Sequence, residues 1–227
     1  MSVWVLAVLH ALAVAQPLSR VHATLSDAEA GHKLYDFALD KQEQGPAAEW
    51  TSTYTDVQGK VFAQETTRML AGELQSYHLA LPQQAEQARI TIAHGQTVFE
   101  YTRSGSTKTA TERHEKNTIV GTQLVSLIQN HWDTLLKGGE VPVRYIVPDR
   151  LETLGFHLRH VAGGSPGNVL VEFRPSNFFI RQVVDPIRVT LDSLTHKALR
   201  IEGRSFLKKK TPAGDWTTLI SLMRFEP

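Results

Sequence analysis

The chain has 227 residues, with 24 Lys and Arg against 23 Asp and Glu, a formal net charge of +1 at pH 7, and no Cys. This balance argues against a nucleic-acid-binding protein, which would carry a basic excess, and the lack of Cys excludes thiol nucleophiles and Cys-based metal sites. A chain of this length buries roughly 70% of its unfolded surface, so we expect one hydrophobic core.

Residues 1–23 are typical of a secretory signal peptide. The apolar run 3–15 is followed by a small-residue site that ends at Ala23, and a cut after Ala15 is an alternative. The run is shorter than the roughly 20 residues that span a bilayer, so no integral membrane segment is expected after signal removal. We predict that residues 24–227 form a single β-rich exported domain in the periplasm, with the extracellular medium as the alternative compartment.

The next segments combine one short amphipathic pattern with a series of strands. Residues 27–41 have apolar side chains at Leu34, Phe37 and Ala38. This spacing predicts a short amphipathic helix or an arm laid on the core. From residue 49 the apolar residues alternate, which predicts half-buried antiparallel strands. Gly-containing pairs between these runs predict hairpin turns, at Gln58-Gly59, Ala71-Gly72, His94-Gly95 and Ser104-Gly105.

Residues 117–139 carry the strongest helical pattern of the sequence. Asn117 or Thr118 can cap the first amide groups, and Gly138-Gly139 supplies the left-handed residue that commonly ends a helix. The apolar stripe recurs every three or four residues, at Val120, Leu124, Leu127, Ile128, Trp132, Leu135 and Leu136.

Alternating strands resume after this helix and continue to the end of the chain, the last two joined by the turn TPAGD. The count is roughly eleven strands to one long helix. The predicted fold class is therefore α+β: a single curved antiparallel β-sheet, a half-open barrel, wrapped around that helix.

Residues 186–203, PIRVTLDSLTHKALRIEG, form a strand, a turn and a strand that ends in Leu-x-Ile-x-Gly. With the strand meander before the helix, this order resembles the periplasmic lipoprotein-carrier superfamily (the LolA/LolB type) and the exported bacterial domains of unknown function that share its half-open barrel. The resemblance implies a hydrophobic cavity between sheet and helix that holds acyl chains or another apolar ligand.

Sequence patterns for catalysis and metal binding fail on physical grounds. GGSPG at 163–167 matches the nucleophile-elbow pattern, but Pro166 follows Ser165 and has no N–H for an oxyanion hole. His157 and His160 are three apart in a strand and face opposite sides. We therefore assign no catalytic residue, no metal ligand and no cofactor, and expect a non-enzymatic protein.

The stretch His131-Trp132-Asp133 is predicted to be one buried ring between two exposed residues near a helix end. Trp132 then either fills the core or lines a cavity. The favoured function is binding or carrying a lipid-like apolar ligand; the alternative is an envelope protein-interaction or scaffold domain with a filled core, and a hydrolase is least favoured. The candidate ligand-binding residues are Trp50, Tyr54, Trp132, Phe156, Phe178 and Phe179.

Overall fold

The computed structural model describes residues 19–177, 181–182, 184–211 and 213–226. The first eight strands are β1 (Ser19–Asp27), β2 (Lys33–Gln44), β3 (Ala47–Asp56), β4 (Val61–Leu70), β5 (Glu73–Leu81), β6 (Glu86–Ala93), β7 (Gln96–Arg103) and β8 (Ser106–Arg113). The short β9 (Thr118–Ile119), α1 (Gln123–Asn130) and α2 (Trp132–Leu136) follow. The remaining strands are β10 (Glu140–Val147), β11 (Glu152–Val161), β12 (Asn168–Pro175), β13 (Ile187–Asp192), β14 (Ala198–Lys210) and β15 (Trp216–Phe225).

All of these strands belong to one open sheet, in the order β8-β7-β6-β5-β4-β3-β2-β1-β15-β14-β13-β12-β11-β10-β9. Two antiparallel meanders meet where the first strand pairs with the last, with Ala23 opposite Phe225. The predicted α+β class, with roughly eleven strands around one long helix, is wrong, because the residues that the structure describes form a nearly all-sheet fold of fifteen strands and two short α-helices.

The predicted helix or arm over residues 27–41 is also wrong, since most of it belongs to β2. Tyr35, Phe37 and Leu39 are buried, whereas Asp36 between them is exposed. This burial has the period of two that a strand requires. Leu34, Phe37 and Ala38 fit a helical stripe equally well in sequence, and pairing of β2 with β1 and β3 decides in favour of the strand.

The predicted long helix begins later and is broken. Thr118 and Ile119 pair in parallel with Arg144 and Tyr145 of β10, so neither Asn117 nor Thr118 caps a helix. The helix starts after Thr122 and is interrupted at His131, whose φ of −111° and ψ of 20° are not helical.

The end of α2 agrees with the sequence. Gly138 has a φ of +82°, and the Gly139 N–H donates to the Thr134 carbonyl over 2.9 Å. The left-handed residue predicted at the Gly pair is therefore confirmed.

The Gly-containing turns of the first meander are confirmed. Both residues of each pair Ala71-Gly72, His94-Gly95 and Ser104-Gly105 have positive φ, as a type I′ turn requires. Gly59 also has a positive φ, of 81°. These turns match the right-handed twist of the strands they join and so fix the register of each hairpin.

The buried residues form two cores rather than one. The larger, here called the meander core, contains Leu25, Phe37, Trp50, Tyr54, Phe62, Tyr77, Leu79, Ile90, Phe99, Leu207 and Leu219, among others. The second, here called the helix core, packs α1 and α2 on β10–β13 through Ile119, Leu124, Ile128, Trp132, Leu135, Val141, Val143, Leu158, Val169, Val171, Phe173, Val189 and Leu191.

Candidate functional site

A cavity of about 380 Å³ lies between α1 and the face of the sheet on which β1 meets β15. Its size is within the roughly 300–1,000 Å³ that small-molecule sites occupy. The apolar part of its lining is Val21, Leu25, Phe37, Leu39, Leu124, Val125, Ile187, Ala198, Ile201, Phe206, Met223 and Phe225.

The cavity lies where the two cores meet. Leu25 and Phe37 belong to the meander core, while Leu124 belongs to the helix core and Ile201 packs against it. Their side chains all line the cavity. The helix core and the meander core lie on opposite sides of this space. Each core therefore leaves apolar surface facing the cavity.

Beside the cavity, a buried carboxyl group joins the helix start to the meander core. Glu65 is 1% exposed, and the hydroxyl groups of Tyr77 and Tyr54 donate to its two oxygens over 2.7 and 3.0 Å. Burial raises the pKa of Glu65, and the two tyrosine hydrogen bonds lower it by a smaller amount. A Cβ on Gly121, at the entry to α1, would overlap the Glu65 carboxyl group. Since Tyr54 and Gly121 line the cavity, Glu65 lies directly behind its wall.

Lys41 contributes a cation to the lining. It follows Phe37 and Leu39 at alternate positions of β2, so its side chain is on the same face as these two buried residues. Its Nζ lies 4.1 Å from the centroid of the Trp50 ring, a cation–π contact. Burial lowers the pKa of Lys41, because the charged form loses solvation.

The structure brings one of the predicted ligand-binding residues to the cavity lining. That residue is Tyr54. Trp50 is 7% exposed under Lys41, Trp132 is 8% exposed and stacks on His196 with ring centroids 4.0 Å apart, and Phe156 stacks on Phe173 at 4.3 Å. Phe178 and Phe179 lie outside the described residues.

The prediction for the residues around Trp132 is confirmed in its main point. Trp132 is buried and Asp133 is exposed, while His131 is half-buried at the break between the helices. The stack on His196 and a hydrogen bond from Gln129 Nε2 to the His196 carbonyl, 2.9 Å long, attach the helices to the β13–β14 turn.

The sequence analysis missed Glu65, Lys41 and Gly121. Glu65 alternates with the buried Ala63 and Thr67 on β4, so a period-two pattern in this strand would have placed the carboxyl group inside. Lys41 is the last residue of the segment predicted to be a short amphipathic helix or an arm, and that prediction conceals its alternation with Leu39 in the strand. Nothing in sequence marks Gly121, because its contact with Glu65 joins residues far apart in the chain.

The GGSPG segment and the paired histidines have well-defined surroundings in the structure. Residues 163–167 form a loop between β11 and β12, and β12 rather than a helix follows Ser165. His157 Nδ1 lies 3.8 Å from Glu140 Oε2. Among the described residues, no cluster of three His, Asp or Glu side chains could hold a metal ion. Within the same residues, no helix is both long and apolar enough to cross a bilayer.

Comparison with known proteins gives two distant structural likenesses. No family model matches the chain, and no curated protein matches it. One likeness is to a beta-barrel-like protein of a domain of unknown function, DUF1849, from Brucella abortus. The two chains are 8% identical with a TM-score of 0.42, and the match covers 92% of this chain and 94% of that one. A porin-like protein from Bacteroides uniformis has 10% identity and a TM-score of 0.23, with 93% and 97% covered. At these TM-scores the two matches establish neither a family nor an activity for this chain.

Proposed function

We propose that this protein binds an apolar, chain-like ligand in the cavity between α1 and the sheet, as a non-enzymatic binding or carrier protein of the periplasm. The observation that carries the proposal is the cavity itself, about 380 Å³ in volume and lined by side chains of both cores. Apolar side chains left facing such a space gain free energy when an apolar ligand removes them from water.

Two features of the walls support a ligand rather than a filled core. Residues on opposite sides, such as Val125 of α1 and Met223 of β15, are only half-buried although they face the interior of the cavity. The aromatic residues that could have filled the space pack elsewhere, with Trp132 on His196 and Phe156 on Phe173.

Export is part of the same proposal. Residues 3–15 have the apolar character of a signal peptide, and a periplasmic site would give the protein access to lipids or to an envelope protein partner. A likeness to lipoprotein carriers, proposed on residues 186–203, would fit this location.

The test uses uncharged probes, so that its outcome depends on the cavity alone. Displacement of the neutral fluorophore N-phenyl-1-naphthylamine by octanol, decanol and dodecanol should be saturable. Each added methylene buries apolar surface worth about 0.8 kcal/mol, so affinity should rise about fourfold per methylene until the cavity is full.

Cavity-filling variants connect this binding to the site. Val125→Trp from α1 and Ala198→Phe from the opposite wall should each abolish alkanol binding. Val57→Trp, at a turn position that is 68% exposed, is the matched control and should bind as the wild type does. Thermal unfolding of all three variants checks that they are folded. No saturable binding by the wild type, or alkanol binding by both filled variants equal to that of the wild type, would reject the proposal and favour the protein-interaction alternative.

A further inference from the structure

We propose that the ligand is an anionic amphiphile whose acidic group pairs with Lys41 while its chain occupies the cavity. This inference rests on the proposed function and names its ligand class. The observation behind it is the location of Lys41, an amine on the inward face of β2 next to the apolar side chains Phe37 and Leu39.

Among the residues that the structure describes, Lys41 has no ion-pair partner. In the part of the chain that the structure describes, no carboxylate oxygen lies within 4.0 Å of its Nζ, and Glu43 acts on it only at longer range. A half-buried cation loses solvation without the compensation that an ion pair provides. The Trp50 ring offers a partial substitute through its π-face. An anion placed at Nζ would supply the missing charge.

The immediate surroundings of Lys41 add a second donor. Trp50 Nε1 is buried and, within the described residues, has no hydrogen-bond acceptor. An indole N–H can only donate, as can an ammonium group. A carboxylate, sulfate or phosphate is therefore the kind of group that complements this corner, since it has several acceptor oxygens and a negative charge.

The other charged groups of the lining favour the same sign. Lys197 and Arg204 also line the cavity without a carboxylate within 4.0 Å in the described residues, and Glu226 is the acidic lining residue there. Arg20 is different, because Asp40 already holds its guanidinium group, with Nη2 and Oδ2 2.9 Å apart. The field in the cavity is thus positive, and Lys41 is the cation placed with the buried apolar residues of β2.

The test compares ligands of one chain length that differ in headgroup, by titration calorimetry below their micellar concentrations. Dodecanoate and dodecyl phosphate should bind wild-type protein at least tenfold more tightly than dodecanol, and dodecyltrimethylammonium more weakly than dodecanol. The stronger of the two anions identifies the source, a free fatty acid for the carboxylate and a phospholipid-derived group for the phosphate. Either order supports the proposal.

Substitution of Lys41 then assigns the preference to this residue. Lys41→Gln should lower dodecanoate affinity to the dodecanol level while leaving dodecanol affinity within about threefold, a change of less than about 0.7 kcal/mol. Lys41→Arg should keep the anion preference, which shows that charge rather than a folding defect is responsible. Lys108→Gln, at an exposed position of β8, is the matched control and should change nothing.

Three outcomes would overturn the inference. Equal affinities for dodecanol and dodecanoate in wild-type protein would refute the anionic headgroup while the proposed function stands. An anion preference that survives Lys41→Gln would refute the assignment to Lys41. Failure of every dodecyl ligand to bind would instead refute the proposed function, so the two failures are distinguishable.

Discussion

Gly121→Ala should destabilise the protein far more than an ordinary glycine substitution in a turn. Gly121 has a φ of +53°, a left-handed conformation that costs a residue with a Cβ about 1–2 kcal/mol. The new methyl group would also overlap Glu65 Oε1 and lie 3.5 Å from Tyr77 Cε2.

The second contribution comes from displacing Glu65. Its carboxyl group must move to admit the methyl group, yet Tyr54 and Tyr77 hold both oxygens in a fully buried site. Losing one hydrogen bond to a buried group costs about 1–3 kcal/mol. The total is about 2–5 kcal/mol, a large fraction of the roughly 5–15 kcal/mol that stabilises a typical domain.

Gly45→Ala is the matched control for the backbone part. Gly45 has a φ of +59°, and in the described structure no atom lies within 4 Å of a Cβ placed there. Urea unfolding should therefore show a loss of about 1–2 kcal/mol for this variant. In a Glu65→Ala background, Gly121→Ala should fall to the same value, because the overlapping carboxyl group is gone. Equal losses for Gly121→Ala and Gly45→Ala in the wild-type background would refute the contact.

Three further predictions concern the same elements. Burial raises the folded-state pKa of Glu65 above its ordinary 4.5, so the unfolded chain loses this proton first as pH rises. Between pH 4.5 and the folded-state pKa, the free energy of unfolding of Glu65→Gln should therefore rise relative to that of the wild type by up to about 1.4 kcal/mol per pH unit. Urea unfolding measures this difference, and a difference that does not change with pH would contradict the reasoning. Trp132→Ala should lower the free energy of unfolding by about 3–5 kcal/mol in the same assay, because the ring is buried in the helix core, and alkanol affinity should stay unchanged. Weaker alkanol binding with unchanged stability would place the ring in the ligand site instead. Expression with residues 1–23 in an exporting host should give, by intact-mass analysis, a chain that begins at Gln16, after Ala15, because a cut after Ala23 would remove Ser19 to Ala23, which pair with residues 37–41 of β2. A start at Thr24 would refute this.

The sequence predicts most of the first meander because its signals are local. Type I′ turns need positive φ at two adjacent positions, and pairs such as His94-Gly95 announce them within two residues. Alternation along a strand such as β6 or β7 is equally local, with Ile90 and Phe99 buried between exposed neighbours. Each hairpin can therefore be predicted from its own sequence, without knowledge of the residues it packs against.

The helix and the site depend on contacts that sequence does not carry. Val120 continues the helical spacing of Leu124, but pairing of Ile119 with Tyr145 draws the start of the segment into the sheet. The cavity arises where two cores fail to close on each other, a property of the whole sheet. The predicted lining residues are all aromatic, yet large rings such as Trp132 are buried in the cores, where they contribute much apolar area.

The pairing of the first strand with the last has a consequence for how the chain folds. Along each meander, strands close hairpins with their neighbours in sequence, and such local contacts form rapidly because short loops are closed at small entropic cost. β1 and β15 join Ala23 to Phe225, nearly the full length of the described chain, so this ladder is the slow, entropically expensive step. Until it forms, β1 and β15 each present an unpaired edge to other chains. A truncated or stalled chain that lacks β15 should therefore aggregate even though every earlier hairpin is intact.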